Sequence, residues 1–353
     1  MNAGIYTIDG PVYIGSNSIL AGDSDAVIKV SSGSSQWFTG RTGIVCTQEP
    51  VDNVTISGFQ IDGNCNHLSN KLADSRPDTD YDCERAIIIR GDSNRPCNNV
   101  IVQNMKVYNC FSDGIHIEHA INAQCANNFI SNCQHSGIFL ICVEKGLVEG
   151  NDVAGIVSDC LRYDNCVDNV FRKNTFYSYT GPDSNGAYQK GENGVQIADE
   201  GYSHGGGTDF AMKTKNIEGY ENTFANTGLR AVWVDSTGKG VENVYLHDNK
   251  FLTGEELETN GISVQGISFT NPPTKETSEE IFSSIFDILS LNITAAGSAT
   301  SEHEQTQKEV ISVHEAAVKS MEGKPLIPPI NLVFSVIVGI FAIGIFKVLK
   351  VIL

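Results

Sequence analysis

Three short phrases recur at a fixed spacing. Asp113-Gly114-Ile115-His116-Ile117, Ser136-Gly137-Ile138-Phe139-Leu140 and Asp159-Cys160-Leu161-Arg162-Tyr163 begin 23 residues apart, twice in succession. A constant period of this size predicts a stack of similar units, each too thin to bury its own apolar side. A second set of segments supports the same reading. Asn53–Gly63, Asn99–Asn104, Asn169–Asn174 and Asn243–Asn249 each alternate apolar and polar residues and end near Asn or Gly. Alternation is the signature of a strand with one face turned inward. Each repeat unit, or rung, should therefore contain at least two strands joined by short turns. Asn and Gly suit those turns because both tolerate left-handed backbone.

No helical period of useful length occurs before residue 277. The pattern resembles the right-handed parallel β-helix of the pectin-lyase-like superfamily, from about residue 4 to residue 270. The expected class is all-β: a right-handed parallel β-helix solenoid with C-terminal helices, one of them transmembrane. Near the start, Ile5–Ile8, Val12–Ile14 and Val27–Val30 read as strands separated by Asp9-Gly10-Pro11 and Gly22-Asp23 turns. Long polar insertions at Asn64–Cys83, Ser178–Glu192 and Gly201–Thr214 are expected to gather beside one face, where they would border a binding surface.

The solenoid is expected to span 1–273. Thr277-Ser278-Glu279-Glu280 then forms a capping box ahead of apolar residues at helical spacing. That places an amphipathic helix at 274–292, suited to closing the open end of the stack. Residues 293–329 read as a linker and a stalk helix, with 302–321 either solvated or forming a self-association seam. Residues 330–353 read as a membrane anchor. Ile330–Phe346 is apolar apart from Asn331 and Ser335, and would span about 26 Å as a helix, close to the hydrocarbon thickness. Lys347 and Lys350 favour a cytoplasmic C-terminus with the solenoid outside. No basic segment followed by an apolar run opens the chain, so no signal peptide is visible.

The formal net charge is −18, which disfavours a sequence-independent grip on nucleic-acid phosphate. All ten cysteines lie between Cys46 and Cys166, without the paired short spacings of a zinc site. Cys110 and Cys133 each precede a repeat phrase by three residues. They are either bridged across rungs or, as expected here, reduced and buried as small hydrophobes. Asn53-Val54-Thr55 and Asn292-Ile293-Thr294 match the N-glycosylation acceptor.

Strand alternation locates the candidate site. If Ile115 and Ile117 point inward, His116 and Glu118 point outward to solvent. The same register puts Arg90, Phe139, Arg162, Asp164, Gln196, Trp233, Asp235, Ser263 and Gln265 in one outward column. Two carboxylates a few ångströms apart supply the acid and base, or acid and nucleophile, of glycoside cleavage. The catalytic candidates are Glu118, Asp159 and Asp164, with Arg162 and His116 steadying substrate charge. Arg90, His135, Phe139, Gln196, Trp233 and Asp235 are the substrate-binding candidates. Arginine pairs with uronate or sulfate, and flat aromatic faces pack on sugar rings. Elimination instead needs a base beside a cation, for which His116 or Arg162 qualify. Asp113, Asp159 and Asn193 open their phrases and suit turn capping. Alternation sends His119 away from His116 and Glu118, so neither a metal nor another cofactor is expected.

Several segments are similar to the β-helix region of disaggregatase-related proteins of methanogenic archaea. These are Asp82-Cys83-Glu84-Arg85, Gln134–Phe139, Ser158–Cys166, Asn185–Tyr188 and Gly191–Gly194. The resemblance covers about residues 4 to 260 and implies a cell-surface protein that degrades an acidic, chondroitin-like matrix polysaccharide. The alternatives are a non-catalytic glycan-binding adhesin and a structural envelope protein.

Overall fold

A computed structural model describes residues 1–31, 42–64, 85–178, 180–182, 188–199, 212–225, 227–235, 240–252, 257–259 and 264–265. All of them fall in the unit Met1–Ile281. The capping helix at 274–292, the stalk within 293–329 and the anchor at 330–353 lie outside the described residues. Among those described, no helix is long and apolar enough to cross a membrane.

The chain winds as a parallel β-helix with three faces. One face is a nine-stranded parallel sheet running from Gly4–Ile8 to Lys250–Phe251, with each strand hydrogen-bonded to its equivalent one rung along. The face carrying the repeat phrases contains Arg85–Arg90, the start of Ile115–Ala126, Ile138–Glu144, Asp159–Asp164, Asn193–Ala198 and Arg230–Val234. The remaining face includes Asp52–Ser57, Cys97–Gln103, Val167–Arg172, Thr214–Tyr220 and Val241–His247. The strand Ile115–Ala126 belongs to both of these faces, bending at His119 with φ 49°.

Each rung thus has three strands, in keeping with the expected minimum of two. The nine-stranded face, expected at Ile5–Ile8 and Val27–Val30, continues through short segments that the repeat phrases do not mark, such as Lys106–Cys110 and Phe129–Cys133. Inside the coil, equivalent residues stack into columns. Val107, Ile130, Val153, Phe176, Phe224 and Phe251 form one such column in direct register. Phe176 and Phe224 lie 5.4 Å apart, and Phe224 and Phe251 stack at 5.0 Å. Gly219 sits next to Phe171, whose ring occupies the place of any side chain there: an added Cβ would lie 2.1 Å from it. The eight described cysteines are buried and none is in a disulfide, including Cys110 and Cys133 on neighbouring strands.

From residue 58 onward the turn leading into the nine-stranded sheet keeps one length. It consists of two residues at 58–59, 104–105, 127–128, 150–151, 173–174, 221–222 and 248–249. The first residue of every pair has positive φ, supplied by Gly58, Asn104, Asn127, Gly150, Lys173, Glu221 and Asp248. From 128 onward the second is a buried asparagine. Asn128, Asn151, Asn174, Asn222 and Asn249 link side chain to side chain, each Nδ2 donating to the next Oδ1 at 2.9 Å. Long insertions never interrupt this corner. Those after Val30, Asp62, Ser178, Ala198 and Val234 all enter or leave the face of the repeat phrases.

Candidate active site

The site face is ordered by two columns of aligned residues. His116, Phe139, Arg162, Gln196 and Trp233 occupy equivalent positions on successive rungs. Two residues further along, Arg90, Glu118, Ile141 and Asp164 are likewise aligned. Cys160 in place of the usual glycine causes no slip, so the expected register holds through Arg162 and Asp164. Gln265 does not join this line. It pairs with Tyr245 on the neighbouring face, and Leu257–Glu258 supplies the last described strand here. The segment ending in Gln265 resembles the repeat phrase but falls one strand later in the rung. Ser263 lies outside the described residues.

Solvent exposure departs from expectation. His116 is 3% exposed, Glu118 5%, Arg162 5% and Asp164 0%. Alternation specifies which side of a strand a side chain leaves, not whether that side is covered. Here Met212 packs against Phe139, Ile141 and Cys142, and its carbonyl accepts from Asn165 Nδ2 at 2.7 Å. Phe139, Gln196, Asp235 and Asp159 are also buried. Arg90, Trp233 and His135 remain partly accessible. The column is therefore a buried polar layer with a half-exposed margin.

Buried charge needs partners, and two clusters supply them. In the first, Arg162 donates to Asp164 Oδ2 through Nε at 3.1 Å and Nη2 at 3.0 Å. Its Nη1 lies 3.9 Å from Asp159 Oδ2. The guanidinium rests 5.0 Å from the centre of the Phe139 ring. Asp159 accepts from Asn193 Nδ2 at 2.6 Å, and Ser158 Oγ reaches both Asp159 and Glu192. Asp164 Oδ1 is buried and accepts no hydrogen bond. At the margin, the Arg230 guanidinium lies 4.8 Å over the Trp233 ring.

The second cluster centres on Asp113, at full burial. Its Oδ2 accepts from Arg85 Nε and His116 Nδ1, both at 2.9 Å. Its Oδ1 accepts from His135 Nδ1 at 2.6 Å and from the Ser136 amide at 3.0 Å. The turn-capping role expected of Asp113 is thus present in the Ser136 contact, and three ionisable partners are added to it. Burial alone would raise the Asp113 carboxyl, but His135, His116 and Arg85 hold it well below the usual range. Glu118 pairs with Arg90 Nε at 2.7 Å, and its Oε2 lies 3.7 Å from His116 Nε2. Burial opposes its ionisation too, yet His116 and Arg90 bring it down to about 2. Phe139 separates the clusters, edge-on to His116 at 4.9 Å and to His135 at 6.0 Å. Among the described residues, no group of His, Cys, Asp and Glu is placed to hold a metal ion.

Because the Glu118 carboxyl lies below its unfolded value of 4.5, its contribution to stability is complete above that pH and is lost as pH falls toward 2. Between about pH 5 and about pH 3 this loss amounts to roughly 2 kcal/mol. Urea unfolding at both pH values should show that much less acid destabilisation in Glu118→Gln than in the wild type.

Sequence reasoning missed Arg85 and Arg230 as parts of the site and reached Asp113 only as a turn residue. Arg85 lies 28 residues before Asp113, outside the 23-residue rhythm, so the repeat does not point to it. Asp113, Asp159 and the pair Asn193 and Arg230 share the phrase-opening position across rungs. That shared position is the signal by which the second column could have been found.

Comparison with solved structures agrees with the fold. An exopolygalacturonase from Thermotoga maritima is similar at a TM-score of 0.52 and 14% identity, covering 75% of this chain and 67% of that one. A family 28 exopolygalacturonase from Yersinia enterocolitica is similar at 0.51 and 12% identity, covering 78% of this chain and 60% of the other. The chain therefore spans about two thirds or less of these enzymes' length. No protein-family model matches it, and no curated protein matches it. The fold shared with these two structures is the parallel β-helix.

Proposed function

We propose that this chain degrades an acidic, chondroitin-like polysaccharide at a cell surface, by hydrolysis or elimination on the face of His116, Phe139, Arg162 and Gln196. The observation that carries the reading is the Asp159–Arg162–Asp164 group. It places two fully buried aspartates around one guanidinium, beside an aromatic ring. Such a group can exchange protons with a glycosidic bond and fix a charged sugar. Arg90, Trp233 and Arg230, on the accessible margin, are suited to first contact with the polymer. The fold is compatible, since two exopolygalacturonases are built on it. Met212 packs against Phe139, so its side chain has to move aside for a polymer to reach Arg162. The apolar run Ile330–Phe346 supports attachment to a membrane with the solenoid outside.

The test is incubation of the full chain with a chondroitin-like polymer, followed by counting of new chain ends. Asp159→Asn and Asp164→Asn should each lower the rate by about 100-fold or more. Rates equal to wild type would remove both residues from the mechanism. A second reading, glycan binding without cleavage, is favoured by one observation. Asp113 and Glu118 are held as anions by adjacent cations, which suits fixed charges rather than proton donors. It predicts retention on a polysaccharide column with no new ends.

A further inference from the structure

We infer that Asp113 is a positioning residue that fixes His116 with Nδ1 as donor and Nε2 as the proton acceptor in elimination from a uronate. This deepens the reading above and rests on it.

The argument starts from the four groups around Asp113. Arg85 Nε and the Ser136 amide are donors under all conditions, and they sit on different oxygens of the carboxylate. Both oxygens must therefore accept. An asparagine at 113 would turn its NH2 toward one of those donors, so this position requires a carboxylate. An anion that resists protonation then demands an N–H from each imidazole, and the atoms that face it are His116 Nδ1 and His135 Nδ1. The tautomer of His116 follows: Nδ1 carries the proton, and Nε2 is the nitrogen that gains or loses one.

His116 Nε2 is buried and makes no hydrogen bond. Among the described residues, charged groups flank the ring at both nitrogens. Asp113 touches Nδ1, with Arg85 and His135 behind it. Glu118 Oε2 lies 3.7 Å from Nε2, with Arg90 behind it. Arg162 lies beyond the Phe139 ring. That ring stands at 76° to the imidazole and restrains its rotation. An imidazolium formed at His116 thus meets an anion at each nitrogen, as a general base requires at the end of proton transfer.

The reaction can be written in full. Nε2 takes the proton from the carbon next to the uronate carboxyl. The C–H electron pair becomes a carbon–carbon double bond. The glycosidic C–O bond on the next carbon breaks, its oxygen leaves with the electron pair and takes a proton from water, and the His116 imidazolium returns its proton to the hydroxide left behind. Arg162 supplies a hydrogen-bond donor to the uronate carboxylate. The new chain end is unsaturated and absorbs in the ultraviolet.

The experiment compares wild type, Asp113→Asn and His116→Gln as full chains on a chondroitin-like uronate polymer. It reads unsaturated ends against pH, alongside thermal stability and the nitrogen-15 spectrum of His116. Wild type should show the Nδ1-protonated tautomer and release unsaturated ends. His116→Gln should lower kcat at least about 100-fold. Asp113→Asn should lower kcat by a similar factor with KM within about twofold, and move the acid limb of the pH–rate profile to lower pH. A purely structural Asp113 would lower the melting temperature and leave that limb in place, which overturns the positioning role. Should Asp113→Asn not fold, the wild-type tautomer decides, and protonation at Nε2 with a bare Nδ1 overturns it. Shortened polymer without unsaturated ends, unchanged in His116→Gln, overturns elimination while polysaccharide cleavage stands. No shortening by any protein overturns both.

Discussion

Arg162→Ala should destabilise the fold by about 4 kcal/mol and eliminate polymer cleavage. Arg162 is the cation for two aspartates that are both at 0% exposure, and it is itself nearly buried. Its two short contacts to Asp164 Oδ2 and the longer one to Asp159 are charge-assisted. Truncation leaves two carboxylates in a poorly solvated layer and strips the Phe139 ring of its stacked guanidinium. Most of the effect is the desolvation of the abandoned partners rather than the net worth of the pair. Two companion variants follow from that reasoning. Arg162→Lys keeps the charge but not the planar fork, and should recover only part of the stability. Adding Asp164→Asn to Arg162→Ala should recover part as well, because one orphaned charge is gone. Urea denaturation at neutral pH reads all three. A loss below about 1 kcal/mol for Arg162→Ala would mean that the aspartates are not held as described.

Asn151→Ala should have an effect of similar size, about 4 kcal/mol, from a position with no part in the chemistry. Asn151 Oδ1 accepts from both the backbone amide and Nδ2 of Asn128, and its Nδ2 donates to Cys125 O and Asn174 Oδ1. Alanine leaves several buried polar groups unsatisfied in two successive rungs, each costing roughly 1–3 kcal/mol. In a domain of this size the melting temperature should fall by roughly 10 °C. The loss should exceed that of Asn122→Ala. Asn122 donates to Asn99 Oδ1 in a second, solvent-exposed asparagine line, where water can replace the lost contact. Equal effects at the two positions would contradict the role assigned to the buried ladder.

The two lines of asparagine also show where sequence reading succeeded and where it stopped. Asparagine at segment ends indicated left-handed turns, and Asn104 and Asn127 have that backbone conformation. Asn128 and Asn151, at the second position of their turns, do not. They are held in place by a hydrogen-bond chain that exists only after rungs stack. The apolar phrases Ile115–Ile117 and Ile138–Leu140 were legible because two inward residues mark each strand. Lys106–Cys110 was not, since its polar residues obscure the inward pair Val107 and Cys110. For the site, alternation placed His116, Phe139, Arg162 and Gln196 in line. It could not show that the outer side of this sheet is covered, because cover comes from elsewhere in the chain. Nor could it show Asp113 reaching His135, since Gly114 and Gly137 follow the phrase-opening residues and the turn redirects their side chains.

The most direct test of the whole account is the size distribution of a chondroitin-like polymer after incubation with the full chain, with Arg162→Ala as the control. The account predicts progressive shortening by the wild type and none by the variant. Polymer of unchanged length in both, after the wild type has been shown to be folded, would contradict it.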